Sequence, residues 1–363
     1  MGAQLNHRVA IVGYGTMGDY HHRKLAALPG VEVVGVVDID PRALTDAAAE
    51  GLRPYAGLAD ALADPTIDFV LISTPNDAHH DIAVASLRAG KNVLCEKPAM
   101  VTSAELIDVV AEAERAGRLF MVHQNRRWDP DFLSVKEVYD SRLLGQVTHI
   151  ESRVHGSRGI PADWRTEKAA GGGMLLDWGV HLVDRLLLMI DSPVTDVFAE
   201  LSFTLGHDVD DGFEAWFRFA NGVTAVVDVS TTSFFPAPLW TLRANRGGAQ
   251  ILNWRTPGEA LRLGEVEEAD ATPILAGTGM TKTMAPRVKD YSRQHRLDDS
   301  VETLQLPVVE ADVSDFYRNA FAVVDEGAAP VVTNAEVLRT LRLLEACVAS
   351  HEKREVVHFE QAG

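Results

Sequence analysis

The stretch Gly13-Tyr14-Gly15-Thr16-Met17-Gly18 constrains this chain more than any other. A GxGxxG hexapeptide alone arises by chance. Here it follows an apolar run, Val9–Val12, and opens a helical pattern, Met17–Leu28. In that context each glycine has its own task. Gly13 permits a tight turn, Gly15 lets the backbone approach a pyrophosphate, and Gly18 lets helix and strand pack closely. Thr16 and Met17 begin the helix, whose free N–H groups and positive dipole end face phosphate. Asp38 ends the next strand pattern, about 20 residues beyond the last glycine, where an acid holds ribose hydroxyls. A chance glycine turn beside a solvated acid is the alternative, and the agreement of strand, glycines, helix and acid argues against it. The Asp38 carboxylate would repel a 2′-phosphate, so NAD is expected over NADP. Arg42, one helical turn further on, would soften that exclusion.

The same logic continues through the first third. Val31–Val37, Phe69–Ser73, Asn92–Cys95 and Leu119–Val122 are further apolar runs. Continuous Val, Ile and Leu suit strands buried on both faces of a parallel sheet. Helical patterns lie between them at Pro41–Ala49, His79–Ala89 and Ser103–Ala116. Residues 1–125 are therefore expected to form a doubly wound α/β domain of the Rossmann type. After Asn125 the pattern changes. Val147–Val154 alternates, Asn221-Gly222 separates two strand patterns, and Asn245–Gly248 separates two more. Consecutive hairpins predict an α+β domain over 126–363 with an open, mainly antiparallel sheet. One sheet face would be covered and the other left for oligomer contacts. The stretch Thr256–Leu306 is expected to be largely loop. A terminal helix is predicted over 334–350, with Asn334 as its N-cap.

The chain has 34 Lys+Arg against 52 Asp+Glu, a formal charge of −18. Nucleic acid and anionic membranes need clustered cations, so neither is an expected partner. Two cysteines, Cys95 and Cys347, cannot build a disulfide framework. Cys95, on a buried strand, is expected to be inert. No long apolar segment precedes the first strand and none is long enough to span a bilayer, so the expected location is the cytoplasm.

Two further segments carry chemistry. Glu96-Lys97-Pro98 sits at the carboxyl end of a sheet strand, where open α/β sheets bind ligands, and Lys97 is placed to reach the nicotinamide. Lys97-Pro98 is a candidate cis bond. The run Gly171-Gly172-Gly173, read as allowing close approach to a ligand, precedes a helical pattern from Met174 to Ile190. Asp177 and His181 are spaced i, i+4 on it and are expected to share a face, the carboxylate orienting the imidazole and raising its pKa.

With these residues in hand, the chain resembles the glucose–fructose oxidoreductase/inositol dehydrogenase/rhizopine-catabolism family over nearly its whole length. The resemblance is carried by Gly13–Gly18, by Ser73-Thr74-Pro75-Asn76 with His79, by Gly90-Lys91 through Cys95-Glu96-Lys97-Pro98, and by the glycine run with Asp177 and His181. Asn125-Arg126-Arg127-Trp128-Asp129-Pro130-Asp131-Phe132 is similar to the scyllo-inositol dehydrogenase-like branch. The resemblance implies reversible, NAD-dependent oxidation of a secondary ring hydroxyl on a cyclic polyol or sugar, and a homo-dimer or homo-tetramer through the second-domain sheet. It implies Lys97, Asp177 and His181 as the catalytic group, and places Ser73, Thr74, Pro75, Asn76, His79 and Glu96 with the cofactor. It implies no catalytic metal, although Asp177, His181 and Asp184 taken alone would also suit metal ligands.

Around this group, Asn125, Arg126, Trp128, Trp164 and Arg165 are candidate substrate contacts, since Arg grips hydroxyls or carboxylates and Trp stacks on a sugar face. The alternative for the arginines is pairing with surface carboxylates. Phe234, Phe235 and Trp240 read as sheet or interface packing, Asp184 as a supporting carboxylate, and His21-His22 as a solvated or packed pair. Competing functions are a glycoside or sugar 3-dehydrogenase, and a catalytically silent dinucleotide-binding regulator. Retention of Lys97, Asp177 and His181 together argues against the silent protein.

Overall fold

The computed structural model describes residues 7–255, 257–264, 273–276, 278–284 and 299–359. Residues 1–6, read above for a leader, and part of the 256–306 stretch lie outside the described residues.

The apolar runs form β1 (His7–Val12), β2 (Val31–Val37), β3 (Arg53–Pro54), β4 (Phe69–Ile72), β5 (Asn92–Cys95) and β6 (Phe120–Val122). They make one six-stranded parallel sheet in the order β3-β2-β1-β4-β5-β6. The connecting helices are α1 (Thr16–Ala26), α2 (Pro41–Ala49), α3 (Leu58–Ala63), α4 (His79–Arg88) and α5 (Ser103–Ala116). Strand order reverses between β1 and β4, so the crevice at their carboxyl ends is the topological switch point. The sequence pattern did not announce β3 and α3. Pro54 sits on an edge strand, where a missing N–H is tolerated, and a six-residue helix is too short to display periodicity.

The second half supplies α6 (Pro130–Asp140), β7 (Val147–His155), α7 (Val180–Met189), β8 (Val194–Ser202), β9 (Gly212–Phe219), β10 (Thr224–Ser230), β11 (Trp240–Ala244), β12 (Gly247–Ile251) and β13 (Glu259–Leu263). After them come β14 (Ile274–Ala276), β15 (Thr281–Thr283), β16 (Val301–Gln305), α8 (Asp315–Glu326), α9 (Asn334–Lys353) and β17 (Val357–His358). Its nine-stranded sheet runs β16-β13-β12-β11-β7-β10-β9-β8-β17 and is antiparallel except between β7 and β10. Both expected hairpins are present.

Three expectations are corrected. The 256–306 stretch is not largely loop among its described residues: β13 and β16 extend the sheet edge, and β14 with β15 forms a separate ribbon. These short strands are largely half-exposed or exposed, so no apolar alternation marked them. The helix expected from Met174 begins instead as a π-helical turn, Leu175–Gly179, before α7. Finally, α9 is capped by Thr333, which forms a capping box with Glu336, and the helix runs on to Lys353.

Residues beyond 126 do not all stay with the second sheet. Helix α8 packs on the first one, with Phe321 stacked on His7 at 4.3 Å and edge-on to Phe69 at 5.2 Å. On α9, Glu345 accepts from the Ser103 backbone and hydroxyl at the start of α5. Between the halves, Arg127 is buried rather than on the surface. It grips Asp184 of α7 with two hydrogen bonds of 2.6 and 2.8 Å, and also reaches Glu336 at 3.1 Å. The face of the second sheet turned away from the helices carries an ionic network in which Glu151 meets Arg153, Arg243 and His149. Trp240 is buried and donates to Asp131, whereas Phe234 and Phe235 stand out into solvent and are not packed on the sheet.

Candidate functional site

The glycine turn is built for a dinucleotide. Gly13 has φ +90, and a Cβ there would lie 2.6 Å from the Ser73 carbonyl oxygen. At Gly18 a Cβ would lie 2.2 Å from the Gly13 oxygen, so only glycine lets α1 start so close to β1. A Cβ at Gly15, by contrast, would enter open space. Helix α1 carries no side-chain cap, so its first N–H groups stay free beside that space. Thr74 Oγ1 is buried with no partner among the described residues. An open cradle, uncapped N–H groups and an orphaned hydroxyl fit a bound dinucleotide. Gly13, Gly15, Thr16, Met17 and Gly18 would hold its pyrophosphate. At the end of β2, Asp38 accepts from the Tyr14 and Asp40 backbones at 2.6 and 2.7 Å, which fixes its carboxylate at the mouth. The adjoining Ile39 is fully exposed. Arg42 is bound by Asp40, away from Asp38.

Several residues placed with the cofactor are occupied by the protein itself. Ser73 Oγ donates to Gly13 O at 2.7 Å and so braces the turn. Asn76, at the expected nicotinamide edge, donates to Gly171 O at 2.8 Å. The His79 ring bridges the carbonyls of Thr74 and Pro98 at 3.0 Å each. Pro75 is exposed. Glu96 turns inward, to His21 and His123.

The redox end gathers around Lys97. The Lys97-Pro98 bond is cis. Lys97 Nζ donates to Asp177 Oδ1 at 2.9 Å and to Asp177 O at 3.1 Å. Arg165 Nε donates to Asp177 Oδ2 at 3.3 Å, and Arg165 also binds Asp163 and stacks over Trp164. The expected Asp177–His181 pair is therefore corrected. Among the described residues no hydrogen bond joins them, because two full cations compete for the carboxylate and outbid a neutral ring. Burial acts to raise the Asp177 pKa, but Lys97 and Arg165 hold it below the usual value. His181 is held well below its usual value, not raised, by burial first and then by the Lys97, Arg126 and Arg185 charges. It is thus a neutral imidazole, buried, with Nδ1 unpartnered among the described residues. Asp184 is engaged by Arg127, so Asp177, His181 and Asp184 do not converge as metal ligands.

The glycine run is required by close packing within the protein. A Cβ at Gly172 would lie 2.3 Å from Arg165 O, and one at Gly173 would lie 2.3 Å from Asp210 Oδ1. Beside Asp177 opens a cleft of about 430 Å³ lined by Met174, Trp178, the 155–159 loop and Val229–Thr231. That is within the usual ~300–1,000 Å³ of small-molecule sites. Arg126 sits over Trp178 at 4.3 Å and Trp254 at 5.1 Å, while Trp128 packs edge-on to Phe316. Asn125 Oδ1 is buried without a partner among the described residues.

Comparison with known proteins agrees with this geometry. Residues 7–124 match the family described as "Oxidoreductase family, NAD-binding Rossmann fold", and residues 132–250 match "GFO/IDH/MocA C-terminal domain". An NAD-binding protein from Listeria innocua is 42% identical over 98% of both chains, with a TM-score of 0.86. The chain belongs to the GFO/IDH/MocA oxidoreductase family. Among its curated relatives, the uncharacterized oxidoreductase YdgJ of Escherichia coli is 34% identical over 212 residues, 58% of this chain and 61% of that protein. The scyllo-inositol 2-dehydrogenase (NADP(+)) IolW of Bacillus subtilis is 25% identical over 97% of this chain and 96% of its own. Among the described residues no helix is long and apolar enough to cross a membrane.

Sequence reasoning missed several residues of this GFO/IDH/MocA site. Trp178 lay inside a quoted motif but carried no separate signal. Trp254 and His123 stand alone in sequence, and only the fold brings them in. Asp210 was missed too. It accepts from the Leu175 N–H at 2.7 Å and anchors the turn that carries Asp177. Burial pushes its carboxyl up to about 7, against the pull of that N–H. An acid whose folded pKa is raised contributes stability below its unfolded value and loses it as pH rises through the folded one. Relative to Asp210→Asn, the wild type is therefore expected to lose Tm between pH ~4 and ~7. Melting both proteins at pH 5 and pH 8 checks this, and an unchanged difference would contradict it.

Proposed function

We propose that this oxidoreductase is an NAD-dependent dehydrogenase that reversibly oxidises a secondary ring hydroxyl of a cyclic polyol or sugar. The observation that carries the reading is the Lys97–Asp177 ion pair beside a neutral His181, at the carboxyl end of β5 and next to a cleft of small-molecule size. NAD bound along the glycine turn would supply a hydride acceptor. The chain's own residues supply the rest. His181, uncharged, accepts the hydroxyl proton. Lys97, aimed by Asp177, donates to the same oxygen and stabilises the developing alkoxide. Asp177 in this reading positions Lys97 rather than His181. Arg165, tied to the same carboxylate, fixes its second oxygen. Arg126, stacked over the cleft residue Trp178, and the neighbouring Asn125 are the hydroxyl contacts in this reading. The IolW relative, named for scyllo-inositol, supports a cyclitol-sized substrate.

The test is a panel of inositols, aldoses and glycosides, read by absorbance of the reduced nicotinamide with each cofactor. Turnover of at least one ring polyol is expected. Silence across the panel would favour the regulatory reading instead. Asp38 supports NAD, so kcat/KM is expected to favour NAD by about tenfold or more, and Asp38→Ala to narrow that ratio. The IolW relative's name gives NADP, which makes this comparison decisive: a clear NADP preference in the wild type would overturn the Asp38 argument.

A further inference from the structure

Behind Lys97 lies a buried polar group that the redox chemistry leaves unused. Glu96 is 5% exposed, and His21 and His123 are 1% exposed each. Glu96 Oε1 accepts from His21 Nε2 at 2.9 Å and from His123 Nδ1 at 2.7 Å, while Oε2 accepts from the Lys97 N–H at 3.1 Å. The Tyr317 hydroxyl donates to His21 Nδ1 at 2.6 Å, which leaves the His21 proton on Nε2, pointing at Glu96. Burial holds His21 below its usual pKa, consistent with a neutral ring in that tautomer.

A carboxylate this deep would be costly unless every lone pair direction were answered. Each donor here comes from a different part of the chain. His21 lies on α1, the helix that starts at the glycine turn. His123 follows β6 and leads into Asn125–Trp128. Tyr317 comes from α8. The carboxylate thus sits where the cofactor helix, the Lys97 segment and the second half of the chain meet. We propose that Glu96, held by His21 and His123, is a positioning residue that fixes the Lys97 main chain and through it the reach of the ammonium to Asp177. This rests on the reading of Lys97 as the hydroxyl contact. The three side chains also bring ligand atoms within 4.8 Å of one another, as a metal site would. In the hydrogen-bonded arrangement, however, His21 turns its N–H and not its lone pair toward the carboxylate.

Glu96→Gln places an amide where the Lys97 N–H needs an acceptor. In the cofactor-free protein, hydrogen exchange at the Lys97 amide is expected to speed up about tenfold or more, with the Val93 and Leu94 amides unchanged. On the most active compound of the panel, kcat is expected to fall about 10–100-fold, with the NADH dissociation constant and substrate KM held within about threefold. Unchanged Lys97 exchange and kcat would overturn the proposal. So would exchange that quickens uniformly, NADH binding lost in step with kcat, or stoichiometric zinc in the purified protein whose removal stops turnover. Should Glu96→Gln fail to fold, a second pair decides. His123→Asn keeps a donor at the Nδ1 position and should retain kcat within about threefold, whereas His123→Leu should not; equal behaviour of the two sinks the idea. Lys97→Met is run alongside. Normal turnover there refutes the dehydrogenase reading itself, while an inactive Lys97→Met beside a normal Glu96→Gln refutes only the positioning role.

Discussion

Lys97→Met is expected to lower kcat by about 10²–10⁴-fold, through lost hydrogen bonding to the reacting oxygen and lost stabilisation of its charge. NADH binding, read by fluorescence, should remain measurable, because the pyrophosphate cradle lies on the glycine turn and not on β5. The geometry adds a sharper expectation. Asp177 gives one oxygen to Lys97 and the other to Arg165, and none to His181. If it acts by aiming Lys97, Asp177→Asn should be strongly harmful alone yet add little to Lys97→Met, a non-additive cycle. Multiplicative losses would instead mean that Asp177 acts on His181 or on substrate directly. A near wild-type kcat for Lys97→Met would remove the central residue of the proposed mechanism.

The largest stability effect is expected at the Arg127–Asp184 pair. Burial lifts the Asp184 pKa, and Arg127 pulls it back. The ion pair is 5% and 3% exposed at its two side chains, so the solvent that screens surface pairs is excluded. Asp184→Ala leaves the guanidinium buried with only Glu336 and a carbonyl, at a cost of about 3–5 kcal/mol in urea unfolding. Replacing both partners by apolar residues, Arg127→Met with Asp184→Leu, should cost clearly less than Asp184→Ala alone. The reverse order would show that the pair's net attraction exceeds its desolvation cost. Because α7 also carries His181, the single variant should lose activity in step with its folded fraction.

Much of the first half was legible because its signals are local. A Gly-x-Gly-x-x-Gly turn, a buried Val/Ile/Leu run and an acid at a strand end each act over a few residues, and they agreed. The second sheet was legible at Asn221-Gly222, where turn chemistry forces a hairpin, and illegible at β13 and β16, which are short and half exposed. The site divided in the same way. Lys97 could be placed from the end of its strand. The partner of Asp177 could not, because helical spacing names the neighbours a residue could have and not the competitor that wins. Arg165, twelve residues earlier on an irregular loop, carries no periodic signal at all. The buried histidines were hidden for a related reason: whether His21 was half of a solvated or of a packed pair is decided only by α8, which arrives from the other end of the chain to cover it.

That late arrival has a consequence for how the protein is made. Asp325, near the end of α8, pairs with His7 on β1 across 318 residues. At a synthesis rate of about 5–20 residues per second, the first sheet, complete at Val122, emerges from the ribosome roughly 10–40 s before the helix that covers Phe69 exists. During that interval an aromatic face lies bare on an otherwise complete nucleotide-binding domain. A nascent chain halted before α8 should therefore be a substrate for holding chaperones, and the first 125 residues expressed alone should be sticky rather than a freely transferable module.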